Sequence, residues 1–520
     1  MHRSTPLRFA AVAALLSLPA SARAGGLFVP GTGPVAQGRA GAFVSKADDG
    51  SALFHNPAGF AKQKGWRVSI GANFVNYDLT FTRAGTYEEP SGQNLPYNGQ
   101  SFAPVSDVSK PDIGLGGFQA VPIIAIGGPT GIEHLHVGFG IYAPQAYPTR
   151  DFTPNYQFQD PNAPPPPQRY DIMNQSATTI FPSVAVAYEI GDNLDVGGRF
   201  GWGFGEVKAE SYVWGIRNYE EWVSRDGVFN VDVKDNFIPT FGLGALYRVG
   251  SNLEIGASWS SAANFHGKGN GSSELGDDLG LPGTPDTIDP NNDTPLCAKG
   301  GTDQNHLKAC VDLVLPQTVT AGARYVLRDA AGREKGDVEF DVSWENWKNA
   351  SDIHVVVDGV SHTTGFFLNE TFIRHGFRDV ISARLGGSYQ IPVGGAPLEL
   401  RGGVAYDTAA APESWSRVDL DGSSRVTLGA GVSYTVNDKI RVDFGGGYVY
   451  EPNRTAPECN PSVGDEGCPV GSGDQPQADR TQPDPIQPLT GPNNQVQSPF
   501  NAGTYKSKYL LWTLGLTYRI

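Results

Sequence analysis

The chain has 520 residues and a formal net charge of −15, with 66 glycines, 39 prolines and only 2 methionines. Its acidic balance excludes a nucleic-acid partner, which needs a basic face. With 18 % charged residues and no apolar run longer than Phe9 to Leu18, it is no helical membrane protein.

That run follows Arg3 and Arg8 and precedes Ala22-Arg23-Ala24, a small-x-small cleavage site. Residues 1–24 are therefore expected to be a secretory signal peptide, with the mature chain starting at Gly25. Pro19 and the glycines after it argue against a buried helix. Residues 25–65 do not alternate. They are rich in Gly and Ala and end in Asp48-Asp-Gly-Ser-Ala-Leu-Phe-His-Asn56-Pro57-Ala58-Gly59.

From residue 66 onward one phrase recurs. Ala185-Val-Ala-Tyr188-Glu-Ile190, Gly244-Ala-Leu-Tyr247-Arg-Val249 and Gly322-Ala-Arg-Tyr325-Val-Leu327 share it, as do Gly386-Gly-Ser-Tyr389-Gln-Ile391, Gly431-Val-Ser-Tyr434-Thr-Val436 and Gly515-Leu-Thr-Tyr518-Arg-Ile520. Each copy ends an alternating run. All but the last lead into a short connection, tight at Gly191-Asp-Asn193, Gly250-Ser-Asn252 and Asn437-Asp438. A second alternating run then begins and dissolves into a long polar loop, as from Leu194, Leu253, Asp337, Leu398 and Ile440. Short turns on one side and long loops on the other are the layout of an outer-membrane barrel. A soluble propeller would repeat strands without that alternation.

The period-two faces agree. Leu510, Trp512, Leu514, Leu516, Tyr518 and Ile520 share one side of the last run and are expected to meet lipid. Counting starts with Trp66 to Phe81, a hairpin of Phe118 to Gly127 and Leu135 to Ala143, and Thr178 to Ile190; five further pairs bring the total to fourteen. The fold class is all-β: a transmembrane antiparallel barrel of about fourteen strands over residues 66–520, with residues 25–65 as a small N-terminal hatch in a lumen too wide for side chains alone to fill.

In an exported chain, Cys297 with Cys310 and Cys459 with Cys468 are expected to form two local disulfides within polar outer loops. Zinc is the alternative, but there is no Cys-x-x-Cys and only His306 lies near. His134 and His136 could face one way on a strand and bind metal, but a solvated turn pair needs no such role. No Gly-x-Ser-x-Gly elbow accompanies any histidine, so no catalytic residue and no cofactor is assigned. Glu339, Asp341 and Glu345, Arg378 and Arg384, and Glu399, Arg401 and Asp407 fall on three successive strands. They are expected to form a luminal ion-pair lattice that braces the wall and holds the hatch.

Ala47-Asp-Asp-Gly-Ser followed by Asn56-Pro57-Ala58 resembles the hatch of the outer-membrane long-chain fatty-acid and hydrophobic-compound transporter family (FadL/TodX-like, OMPP1). Gly138-Phe-Gly-Ile-Tyr142-Ala-Pro144 resembles that family's third strand. Leu315-Pro316, Asp341-Val-Ser-Trp-Glu-Asn-Trp347, Arg401-Gly-Gly-Val-Ala-Tyr406-Asp407 and Gly503-Thr-Tyr-Lys-Ser507 resemble later strands. The chain departs from the pattern in ending at Ile520 rather than an aromatic residue. The resemblance implies passive uptake of lipophilic small molecules, gated at Asn56, Pro57 and Ala58. Release would be sideways, through a kink or bulge in the third strand near Gly138, Gly140 and Pro144. It implies as partners a lipophilic substrate, outer-membrane lipid with lipopolysaccharide, and the barrel-assembly machinery at the last strand, for a monomer. A general porin and a surface adhesin or structural barrel are the rival readings.

Overall fold

A computed structural model describes residues 26, 28–87, 94–153, 163–213, 226–275, 286–293, 295–362, 365, 367–368, 370–393, 396–420, 422–456 and 501–520. The expected signal segment and the Cys459/Cys468 pair lie outside the described residues.

Fourteen antiparallel strands cross the wall. They are β1 (Arg67–Arg83), β2 (Phe118–Pro129), β3 (Leu135–Tyr142), β4 (Asn174–Ile190), β5 (Leu194–Val213) and β6 (Gly227–Val249). Then come β7 (Leu253–Ser260 and Ala263–Leu275), β8 (Leu307–Leu315 and Thr318–Arg328), β9 (Glu334–Glu345 and Asp352–Ser361) and β10 (Thr371–Arg374 and Val380–Val393). β11 (Ala396–Asp407), β12 (Arg425–Thr435), β13 (Ile440–Tyr450) and β14 (Gly503–Arg519) complete them. β1 pairs with β2 and also, from Arg67↔Arg519 to Arg83↔Gly503, with β14, so the sheet closes. Closure of the ring joins the first strand to the last, so neither is left as an open end, as strands that span a bilayer require.

Sequence and structure agree on the count and differ in detail. β4 begins at Asn174, four residues earlier than expected. The long second runs are broken: β7 at Ser261 and Ala262, and β9 by an inward excursion with a 3₁₀ turn at Trp347–Ala350. In the tight turns, Gly191 (φ 62°) and Gly250 (φ 66°) adopt the left-handed conformation that other residues reach only at a cost.

Ile70, Phe139, Phe241, Leu243, Phe340 and Leu514 point outward and are exposed, the apolar band that lipid covers. The six recurring tyrosines also point outward, next to the short turns. Asn73, Asp195, Glu339, Asp341 and Arg401 point inward and are buried.

The N-terminal segment is not extended. It forms α1 (Pro34–Gly38), α2 (Ala52–His55) and a 3₁₀ turn (Pro57–Lys62), nearly all buried. Pro34 suits the first helical position, where no amide partner is needed. α1 packs on β12 and β13 and the 3₁₀ turn on β4, β5 and β6, from across the ring. The segment therefore crosses the lumen.

Candidate functional site

Three carboxylates of β9 hold the N-terminal segment. Arg39 donates to Asp337 Oδ1 (2.8 Å) and Glu339 Oε2 (2.9 Å). Glu339 Oε1 accepts the Ser45 and Lys46 amides at 2.6 and 3.2 Å; Asp341 Oδ2 accepts those of Phe43 and Val44 at 2.8 and 3.1 Å. Removing one member of a buried pair of this kind costs about 3–5 kcal/mol. Of the expected lattice, Glu339 pairs with Arg39, Glu345 with Arg384 (3.9 Å), Arg401 with Glu399 (3.6 Å) and Asp443 (3.2 Å), and Asp407 with Arg425 (2.9 Å), while Asp341 holds backbone amides instead of a cation among the described residues. Arg378 does not join it: it lies in the stretch between the two parts of β10, exposed, its amide bonded to Ala410 O.

At the other end, Asn56 Oδ1 accepts the Ala58 amide at 3.1 Å, while Nδ2 donates to Val44 O (2.9 Å) and to Ala245 O of β6 (3.2 Å). Asn56 therefore caps the 3₁₀ turn that begins at Pro57 and ties it to the wall. His55 donates from Nε2 to Thr32 O at 2.8 Å and packs edge-on against Phe43 and Phe54. Burial pushes its pKa down to about 4.

Gly138 and Gly140 lie in a regular ladder, paired on both sides from Leu135 to Tyr142, not in a bulge. A Cβ at Gly138 would fall 2.3 Å from Phe60, so this glycine makes room for the N-terminal segment. The chain leaves the wall after Tyr142, at Ala143 and Pro144. It turns inward to pair with the N-terminal segment, Val29 N donating to Gln145 O at 2.7 Å. β3 is thus only 8 residues long beside neighbours of 12 and 17. Ser176 to Ile180 of β4 have no strand on that side, facing Ala120 to Pro122 of β2 across a gap.

That gap opens onto a cavity enclosing about 1460 Å³ with its mouth, lined by Ala120, Val121, Pro144, Ala177, Ile180 and Leu315 among others. Val207, Leu313 and Ile353 are shared with an apolar cavity nearer the outer loops, which Phe229, Val231, Val355 and Leu368 also line. Phe28, Pro144 and Leu315 are shared with a deeper, more polar cavity against the N-terminal segment, where Tyr142 stacks on Phe181, meets Phe54 edge-on and lies beneath the Arg199 guanidinium. Arg199 donates to Leu53 O at 2.9 Å and makes no ion pair among the described residues. On the short-turn side, beneath the segment, the lumen is polar: Lys46, Asp48, Arg67, Glu399, Arg441 and Arg519 line it.

His134 and His136 approach one carboxylate, Glu189, at 3.8 and 2.8 Å; among the described residues no cluster of His, Cys, Asp or Glu could hold a metal ion. Cys297 and Cys310 form a disulfide with Cα atoms 5.8 Å apart. Sequence reasoning missed Arg39, Phe60, Gly197, Gly244, Arg199, Asp171 and Asp419. Only the glycines carried a signal, as small residues on the inward face of long strands.

A model of the family described as outer membrane protein transport protein (OMPP1/FadL/TodX) matches residues 15–467. A putative outer membrane protein of Neisseria meningitidis serogroup B is 28 % identical over 151 residues, 29 % of this chain and 30 % of that protein. The long-chain fatty acid transport protein of Escherichia coli O6:H1 is 25 % identical over 113 residues, 22 % of this chain and 23 % of that one. The matched regions thus span under a third of either relative. A Pseudomonas aeruginosa FadL homologue superposes with a TM-score of 0.66 at 16 % identity, covering 95 % of this chain and 99 % of its own. The P. putida toluene transporter TodX does so at 0.59 and 12 %, with coverage of 95 % and 99 %. At these identities the structural likeness shows the fold.

Proposed function

We propose, for a chain that belongs to the OMPP1/FadL/TodX family of outer membrane transport proteins, that it takes up hydrophobic small molecules and releases them sideways into the bilayer. The outer membrane is its location. The observation that carries the reading is a pair of mostly apolar cavities, sharing Val207, Leu313 and Ile353, that lead from beneath the outer loops to the gap between β2 and β4. An apolar ligand gains nothing by continuing downward, where the charged groups around Lys46 and Arg441 would have to be desolvated. It gains its full transfer energy by leaving through the wall into lipid.

In this reading residues 1–24 direct export, residues 25–65 are a hatch that closes the lumen to water, and residues 66–520 are the transporting barrel. Asn56, Pro57 and Ala58 are the part of the hatch that governs passage, and Pro144 marks the exit. The relatives' names, a long-chain fatty acid transport protein and a toluene transporter, bracket the substrates. Lipid and lipopolysaccharide surround a monomer whose last strand, β14, is the signal to the assembly machinery. The route needs no catalysis.

Filling the gap tests this. Ala120→Trp with Ala177→Trp should leave surface display and heat-modifiable migration unchanged while uptake of a lipophilic tracer falls about tenfold, as for a blocked rate-limiting passage. Undiminished uptake would overturn the sideways route. Uptake of polar solutes by the unaltered barrel at a porin's rate would favour the porin reading.

A further inference from the structure

We propose that Asp171 and Asp419 turn the outer half of this route into a charge filter, so that it carries uncharged hydrophobes and rejects carboxylate amphiphiles. The inference rests on the uptake reading above and names the substrate class within it.

The outer cavity and the gap cavity are lined by aliphatic and aromatic side chains, backbone and a few neutral polar groups. The charged residues on their walls are Asp171 and Asp419 in the outer cavity and Asp112 and Asp419 in the gap cavity; no Lys, Arg or His lines either among the described residues. Asp419 therefore faces the whole passage. Both Asp171 and Asp419 are 5 % exposed, carried on outer segments that fold inward over the lumen. Arg417 and His375 stand behind them, off the cavity walls. Arg417, 1 % exposed, is paired with Asp171 and donates from Nε to Asp419 Oδ1 at 3.1 Å. His375, fully buried, meets Asp419 Oδ2 at 2.9 Å through Nε2 and the Ser351 carbonyl at 3.1 Å through Nδ1.

The carboxylates are thus fixed in place and charged at neutral pH. Burial alone would raise Asp419, but Arg417 and His375 outweigh it and hold it below the usual carboxylate range. Burial and the neighbouring Asp419 push Asp171 up to about 6, still ionised at pH 8. A ligand carboxylate entering here would lose its water shell beside two like charges with no cation to meet it, which is strongly unfavourable in an apolar cavity. A hydrocarbon, ester or alcohol pays no such charge penalty. Discrimination of this kind works by repelling the wrong ligand rather than by gripping the right one.

The test compares dodecanol with dodecanoate at pH 8, using the full-length protein in proteoliposomes. The unaltered protein should move the alcohol at least about tenfold faster. Asp419→Asn, which removes the one carboxylate that lines both cavities, should bring the two rates within about threefold by admitting dodecanoate. Val207→Lys, which places a cation on the wall shared by both cavities, should do the same without touching the Arg417 cluster. Equal rates in the unaltered protein overturn the filter while leaving the uptake reading intact. A selectivity that survives both substitutions overturns its assignment to these carboxylates. Failure to move either compound overturns the uptake reading itself.

Discussion

Gly197 of β5 and Gly244 of β6 stand directly opposite each other, and the Asn56–Ala58 turn lies flat on the pair. A Cβ at Gly197 would fall 2.4 Å from Ala58 N, and one at Gly244 2.0 Å from Asn56 Oδ1. Neither contact is tolerable, so the wall is cut to the turn. Gly244→Ala should push the turn off β6 and break the Asn56 bond to Ala245. In planar bilayers, ion conductance should rise several-fold while the barrel keeps its heat-modifiable migration. Gly198→Ala is the control: its Cβ would have no neighbour nearer than 3.9 Å, and conductance should not change.

Asn56 supplies what alanine cannot, two donors for the Val44 and Ala245 carbonyls. Leaving such groups unpaired costs on the order of 1–3 kcal/mol. Pro57 fixes φ at the first position of the following turn. Replacing both with alanine should leave folding and surface display intact, since the strand ladder holds the barrel, yet uptake of a lipophilic tracer should fall sharply. Normal uptake in the double variant would show that the turn is only a spacer.

Docking of the N-terminal segment should depend on pH through two opposing groups. His55 falls from an ordinary value of 6.5 to about 4, chiefly because it is buried. Its contribution to docking is complete above pH 6.5 and is lost as pH falls from 6.5 towards 4, because the released hatch then binds the extra proton. Asp49 is pushed up to about 6 by burial and by Asp48, so docking gains from its protonation as pH falls through 6. Asp49→Asn should unmask the histidine, and conductance should rise between pH 6.5 and 4.5. Flat conductance over that range would contradict the assignment.

The Cys297–Cys310 bridge lies against the wall, Cys310 opposite Lys268 of β7 and Val356 of β9. A bridge across 13 residues constrains a short loop, an effect of about 3 kcal/mol in the chain-entropy picture. Reduction should speed proteolysis between residues 286 and 306 and lower the barrel's thermal transition by a few degrees. Mass measurement without reductant should show no free thiol, with Cys459 and Cys468 closed as a second local bridge.

Strand number, lipid face and tyrosine girdle follow from the sequence alone, because alternation has period two and each side chain meets either lipid or lumen. The luminal position of Glu339, Asp341 and Arg401 follows for the same reason. What the N-terminal segment does with those charges does not. Arg39 meets Asp337 and Glu339 across about three hundred residues of chain, and nothing local in either segment announces the partner. Of the three third-strand residues the sequence singles out, Pro144 stands where the chain leaves the wall, while Gly138 and Gly140 stay in the ladder. Gly138 looks like a point of weakness in sequence, but it makes room for Phe60. The departure from the wall at Pro144 instead depends on Val29, which draws Gln145 inward. The filter residues Asp171 and Asp419 lie in polar loops that sequence alone reads as solvated. Only the closing of the barrel folds those loops inward over an apolar cavity, where a carboxylate's charge is no longer screened by water.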